Sequence, residues 1–223
     1  VALITTQSRS TQNQVWAGMA KETAHQLGTP LTSLQGWLEV LREQNQTDPI
    51  MDEMEKDINR LKLVSERFGK IGSTPQLEIC DLVQLTEGIV TYMKRRASEK
   101  VVFEIKSDQP EIKISVSTTL LEWVLENLMK NALDAMEGTG KISISIKDDL
   151  TNVIMDVTDT GKGITSANLQ KVFQPGFTTK KRGWGLGLSL SKRIVELYHK
   201  GQLYVKHSEP GKGTTFRIIL PRG

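Results

Sequence analysis

Asn127-Leu128-Met129-Lys130-Asn131-Ala132, Asp159-Thr160-Gly161-Lys162-Gly163 and Gly183-Trp184-Gly185-Leu186-Gly187-Leu188, met in that order, decide how this chain reads. Asn127 and Asn131 are four residues apart, so on a helix they share one face. Asparagine is unfavourable inside an apolar helix because its side chain competes for backbone hydrogen bonds. A pair of amide oxygens on one face suits a hard cation such as Mg²⁺ that keeps water and phosphate oxygens as its other ligands. Asp159 ends an apolar strand-like run and precedes two glycines. Its carboxylate can accept a hydrogen bond from an exocyclic amine of the kind adenine carries. Gly161 and Gly163 allow a sharp turn and close approach to a flat ring.

The third stretch opens an amphipathic helix, and backbone N–H groups at a helix start attract phosphate. Gly183, Gly185 and Gly187 permit that approach, with Leu186 and Leu188 in the same strip, and Lys180, Lys181 and Arg182 add positive charge just before it. The stretch lacks the Gly-Lys-Ser/Thr ending of a Walker loop, and it does not follow a strand with dinucleotide-fold spacing. Between the last two motifs lies Phe173-Gln174-Pro175-Gly176-Phe177-Thr178-Thr179-Lys180. Two aromatic residues in a Pro/Gly loop suggest either a lid whose rings dock on nucleotide binding or a loop anchored by core phenylalanines.

Around these motifs the pattern is α+β. Helices are expected over residues 82–98, 118–136, 168–173 and 186–199, and strands over 101–105, 112–116, 142–146, 153–157, 203–205 and 216–220, the last two forming a hairpin around Pro210-Gly211. That grouping points to a two-layer sandwich. Upstream, residues 10–45 read as one long helix with the seam Ala17, Ala20, Ala24, Leu27, Leu31, Leu34, Leu38 and Leu41. Thr47-Asp48-Pro49 breaks it, and a second seam follows in Met51, Met54, Ile58, Leu61, Ser65 and Phe68. A hairpin with two such stripes buries them by pairing with a second copy, so a homodimeric four-helix bundle is expected. Packing of the hairpin on its own C-terminal domain is the alternative. The expected organisation is a helical domain over residues 1–70, a linker over 71–80 and a sandwich domain over 81–223.

The 223 residues carry 29 basic and 26 acidic side chains, a balance that argues against nucleic acid as the main partner. Cys80 is the only cysteine, which excludes an internal disulfide and suits a reducing, cytoplasmic setting. No apolar run approaches the roughly 20 residues of a membrane span. The chain starts without Met and reads as a fragment, which leaves open an upstream sensor region anchored in the inner membrane.

Residues 81–222 resemble the ATP-binding domain of sensor histidine kinases, the Bergerat-type fold shared with gyrase, mismatch-repair ATPases and ninety-kilodalton chaperones. The resemblance rests on the three motifs above, on Phe173 to Lys180 and on Gly213-Thr214-Thr215-Phe216. It implies ATP as substrate, Mg²⁺ on Asn131, Asp159 on the adenine amine and Thr214 supporting the adenine pocket. Lys130 lies beside Asn131, where it either adds charge near the phosphates or faces solvent. Trp184 departs from the family, where a small residue is common.

His25 lies in Glu22-Thr23-Ala24-His25-Gln26-Leu27-Gly28-Thr29-Pro30-Leu31. It is about 100° off the apolar seam, toward solvent. Pro30 has no N–H for the carbonyl of Gln26, and Gly28 loosens the same turn, so the helix should bend just after the histidine. A neutral, exposed imidazole is a nucleophile near physiological pH. The segment resembles the phosphoacceptor box of dimeric histidine kinases. That implies phosphorylation of His25, transfer to an aspartate on a response-regulator receiver domain, and a role for Thr29 in placing water for dephosphorylation of that partner. Gln26 stands where the family has an acidic residue; it can orient the ring but cannot take a full proton. Glu22, one turn earlier, is the candidate substitute base. Two other readings remain: a Bergerat-type ATPase acting as a conformational switch, and a kinase-dead docking scaffold. The first is disfavoured because Asn127 replaces the glutamate that activates water in those ATPases.

Overall fold

A computed structural model describes residues 27–28, 30–43, 49–71, 75–180 and 185–222. They fall into two compact units that divide between Pro75 and Gln76.

The first unit holds α1, whose described residues run over 30–43, and α2 (Pro49–Ile71). The heptad seam of the sequence separates into two sets. Leu31, Leu38, Met51 and Ile58 are buried in one cluster with Leu27 against it. Leu34, Leu41, Met54 and Leu61, expected in the same seam, remain 40–48% exposed. Trp37 and Ile50 are more exposed still. A hairpin has only one facing side, so alternate seam residues cannot all meet within one chain. Arg42 ties the helices together through Asp52 and Glu55. Helix α2 runs on through Gly69 to Ile71, into the expected linker. Ala17, Ala20, Ala24 and the side chain of Phe68 lie outside what is described.

The second unit opens with a strand not expected from the sequence, β1 (Glu78–Asp81), which pairs antiparallel with β3 (Lys113–Val116). Asp81 then caps α3 (Leu82–Lys94) by accepting from Val83 N, and it accepts from Ile112 N as well. The five-stranded sheet has the order β2-β4-β5-β7-β6, formed by β2 (Val101–Ser107), β4 (Gly140–Asp149), β5 (Asn152–Asp159), β7 (Gly213–Pro221) and β6 (Gln202–Glu209). Only β2 and β4 run parallel.

Strict alternation in β4 and β5 buries Ile142, Ile144, Ile146, Val153, Met155 and Val157 on one face. Against that layer packs α4 (Thr118–Met136), whose Leu121, Val124, Leu125, Leu128, Met129 and Ala132 repeat every three or four residues. The opposite face is polar and carries a bidentate Arg217–Asp156 pair joined by Lys206. Burial opposes the charge on Asp156, but these cations hold its pKa below the usual range. The α+β sandwich expected from the pattern is thus present. Two helices differ from it. The segment expected helical over 168–173 is instead α5 (Ser166–Leu169) followed by tight turns, Lys171 N to Asn168 O and Gln174 N to Lys171 O, because Pro175 and Gly176 end any helix there. The single helix expected over 186–199 is α6 (Gly187–Arg193) continued by a π-helical turn, Ile194–Tyr198.

Candidate functional site

Period-two alternation puts Asp159 at the last inward position of β5, directly opposite Thr214 on β7. Both are nearly buried, at 5% and 4% exposure. Asp159 Oδ1 accepts from Gly161 N at 2.8 Å, while burial pushes the carboxyl above its ordinary pKa despite that bond. A backbone bond from Thr214 opposes the shift as the Gly161 bond does, and burial outweighs both. Thr214 Oγ1 lies 2.9 Å from Ser208 Oγ, which also accepts from Ile164 N at 2.8 Å.

The glycines that follow Asp159 make close approaches to protein. A Cβ on Gly161 would lie 2.7 Å from the backbone of Ala135 on α4. One on Gly163, at φ +70°, would lie 2.2 Å from Glu209 O. One on Gly213, at φ +118°, would lie 1.9 Å from Asp159 O. The loop after β5 is therefore wedged between α4 and the β6–β7 turn, which holds the carboxylate beside the asparagine helix.

On α4, Asn127 Nδ2 donates to Ser191 Oγ at 2.9 Å, and a Cβ on Gly187 would lie 2.4 Å from Asn127 Oδ1. Gly187 is thus a glycine because α6 starts against the amide. Asn131 Oδ1 accepts from Lys180 Nζ at 2.7 Å, and Asp134 Oδ2 accepts from the same ammonium at 2.6 Å. These two hard oxygens already hold a cation, so the donor set fits Mg²⁺ completed by water and phosphate. Lys130 points to solvent and pairs with Glu126 at 2.9 Å, so its charge is partly neutralised on its own helix.

The loop from Phe173 to Gly185 closes at its base, where Gly176 N donates to Gly185 O at 3.0 Å. A Cβ on Gly185 would lie 2.5 Å from Gly176. Phe173 meets Phe216 edge-on with centroids 6.2 Å apart, and Lys192 Nζ sits 4.8 Å above the Phe173 ring. Phe173 is therefore an anchor of the loop, the second of the two readings that its sequence allowed. Leu186 caps α6 with its carbonyl, accepting from Leu190 N, and Leu188 is half-buried.

The fold thus brings together Asn127, Asn131, Asp159, Gly161, Gly163, Lys180, Gly185, Leu186, Gly187, Leu188 and Thr214. His25, Gln26, Glu22, Thr29, Lys181, Arg182, Gly183 and Trp184 lie outside the described residues. Three participants were not read from the sequence. Asp134, three residues after Asn131, could have been found by helical spacing. Ser191 and Ser208 meet their partners only through tertiary packing.

Residues 116–223, which carry the sandwich's asparagine, aspartate and glycine motifs, match the family described as histidine kinase-, DNA gyrase B-, and HSP90-like ATPase, an ATP-binding domain. The chain is 33% identical over 221 residues to the signal transduction histidine-protein kinase AtoS of Escherichia coli (strain K12), covering 95% of this chain and 35% of AtoS. The crystal structure of the catalytic domain of histidine kinase ThkA superposes with a TM-score of 0.59 at 30% identity, covering 65% of this chain and 98% of that one. The crystal structure of ThkA in complex with response regulator protein TrrA matches 97% of this chain and 65% of that one, with a TM-score of 0.64 at 24% identity, a likeness of fold. The chain belongs to the histidine kinase family. It spans about a third of the length of the first curated relatives it matches. Among the described residues no helix is long and apolar enough to cross a membrane.

Proposed function

We propose that this chain is the core of an ATP-dependent protein-histidine kinase that phosphorylates His25 and passes the phosphoryl group to an aspartate on a response-regulator receiver domain. One observation carries the reading most: Asn127, Asn131, Asp159 and the glycine-bounded start of α6 converge on one end of the sandwich. The likeness to AtoS spans both units, including the segment around His25.

In this reading Asp159 accepts from the adenine amine, with Thr214 beside it. Asn131 would hold Mg²⁺, which would supply charge neutralisation, and the backbone at Gly183, Gly185 and Gly187 with Lys180, Lys181 and Arg182 would surround the phosphates. A ring nitrogen of neutral His25 forms a bond to the γ-phosphorus as the bond to the departing ADP breaks. The ring proton passes to Glu22, with Gln26 orienting the imidazole. Catalysis is mostly positioning and charge neutralisation. Thr29 places water for dephosphorylating the regulator.

Residues 1–70 form the dimerisation and phosphotransfer unit. The exposed Leu34, Trp37, Leu41, Met54 and Leu61 support a homodimeric four-helix bundle, because a second copy offers the same stripe to cover them. Incubation with γ-labelled ATP tests the reading. Acid-labile, alkali-stable label that disappears in His25→Ala is expected. Phosphate release without protein label means an ATPase switch instead, and neither activity means a docking scaffold.

A further inference from the structure

We propose that Ser191 is a positioning residue for phosphoryl transfer, its hydroxyl holding the Asn127 amide so that the amide oxygen faces the nucleotide's phosphates. The inference rests on the reading of Asn127 as part of the Mg·ATP site. An asparagine side chain presents two donors on nitrogen and an acceptor on oxygen, and rotation by half a turn exchanges them. At a site for a metal-bound polyanion the two orientations are opposite in effect, since only the oxygen can face a cation.

The structure shows the amide in one of the two orientations. Ser191 is 3% exposed on α6, and its Oγ accepts from Asn127 Nδ2 at 2.9 Å. With nitrogen held on that side, Oδ1 is turned to the start of α6, where it would lie 2.4 Å from a Cβ on Gly187. Among the described residues Oδ1 has no protein donor of its own. The same helix begins beside Gly185, whose carbonyl accepts from Gly176 N at the base of the loop. Alanine at 191 removes the acceptor, frees the amide to turn and leaves its NH₂ group without a partner.

The test uses the full chain with Ser191→Ala, Ser191→Thr and Asn127→Ala. Autophosphorylation at varied Mg·ATP should show kcat lowered about three- to tenfold in Ser191→Ala, the factor of one neutral hydrogen bond. KM should change by less than about twofold. Ser191→Thr keeps a hydroxyl and should restore kcat. A readout independent of activity is the ¹⁵N side-chain amide pair of Asn127 in nucleotide-free protein. It should exchange slowly with water in the wild type and in Ser191→Thr, and fast in Ser191→Ala. Wild-type kcat in Ser191→Ala, a loss confined to KM, or a fast-exchanging Asn127 amide in the wild type overturns the proposal. The last measurement decides even where Ser191→Ala does not fold. Active Asn127→Ala overturns the reading of the site itself; inactive Asn127→Ala beside fully active Ser191→Ala removes only the role of Ser191.

Discussion

Acidification should loosen the asparagine helix through a single side chain, His199. The residue is 5% exposed at the end of the π-helical turn. Its Nε2 accepts from Ser117 N, the N-cap position of α4, at 3.0 Å, and its Nδ1 donates to Ile194 O at 3.0 Å. The first bond needs Nε2 unprotonated and so needs the neutral ring, whereas Nδ1–H can donate in either state. A histidine at a helix end is commonly a cation favoured by the dipole. Burial wins and lowers the pKa, although the bond to the Ile194 carbonyl opposes it.

An imidazole in the unfolded chain titrates near pH ~6.5. Because the folded group titrates lower, the unfolded state takes up the proton first as pH falls. The stability contributed by neutral His199 is complete above that value and is lost below it, by up to about 1.4 kcal/mol per pH unit until the folded ring titrates. For a unit of this size that corresponds to roughly 3–6 °C in Tm per pH unit. His199→Gln cannot span both partners and should cost about 1–3 kcal/mol at neutral pH. The assay is thermal unfolding of wild type and His199→Gln from neutral pH to about one unit below the free imidazole value, with amide exchange at Ser117 as the local reporter. The gap between the two proteins should narrow with acid, and Ser117 should lose protection first. A gap that is constant across the range, or an unprotected Ser117 amide at neutral pH, would show that His199 carries no such bond.

Gly213→Ala forces a Cβ toward Asp159 O at a φ that L residues rarely adopt. It should destabilise the second unit by about 3 kcal/mol or more, read as a Tm drop of roughly 6–12 °C. Asp159→Asn keeps an oxygen for Gly161 N but removes a charge that burial disfavours. Its folded pKa lies above the unfolded one, so the charged form carries a penalty that is fully present above the folded pKa and disappears as pH falls. The variant should therefore melt higher than wild type at neutral pH while binding ATP roughly 10- to 100-fold more weakly by calorimetry, the cost of a charge-assisted hydrogen bond. Lys180→Ala breaks an exposed contact to Asn131 and Asp134, so Tm should move by less than a few degrees. Equilibrium titration should nonetheless show altered Mg²⁺ dependence of nucleotide binding, because the ammonium and the metal compete for one amide oxygen.

Local periodicity carried much of this protein in the open. The alternation of Val153, Met155 and Val157 announced β5 and its inward face, and with them the direction of the Asp159 carboxylate. The spacing of Asn127 and Asn131 fell on α4 as a helix requires. These features are legible because side-chain direction repeats every two or about 3.6 residues, whatever lies across the gap. Strand β1 was not legible: its four residues have no pattern of their own and become a strand only by pairing with β3. Nor could one heptad seam tell which of its leucines meet inside the hairpin, since that depends on how the helices are rotated against each other. Phe173 took its place from Phe216, far along the chain, and His199 its neutral state from a backbone amide on another helix. The sequence by itself determined the spacing of the candidate residues along their helix and strand. Tertiary structure decided which atom of each faces the site, because orientation, protonation and burial are properties of neighbours brought together only by folding.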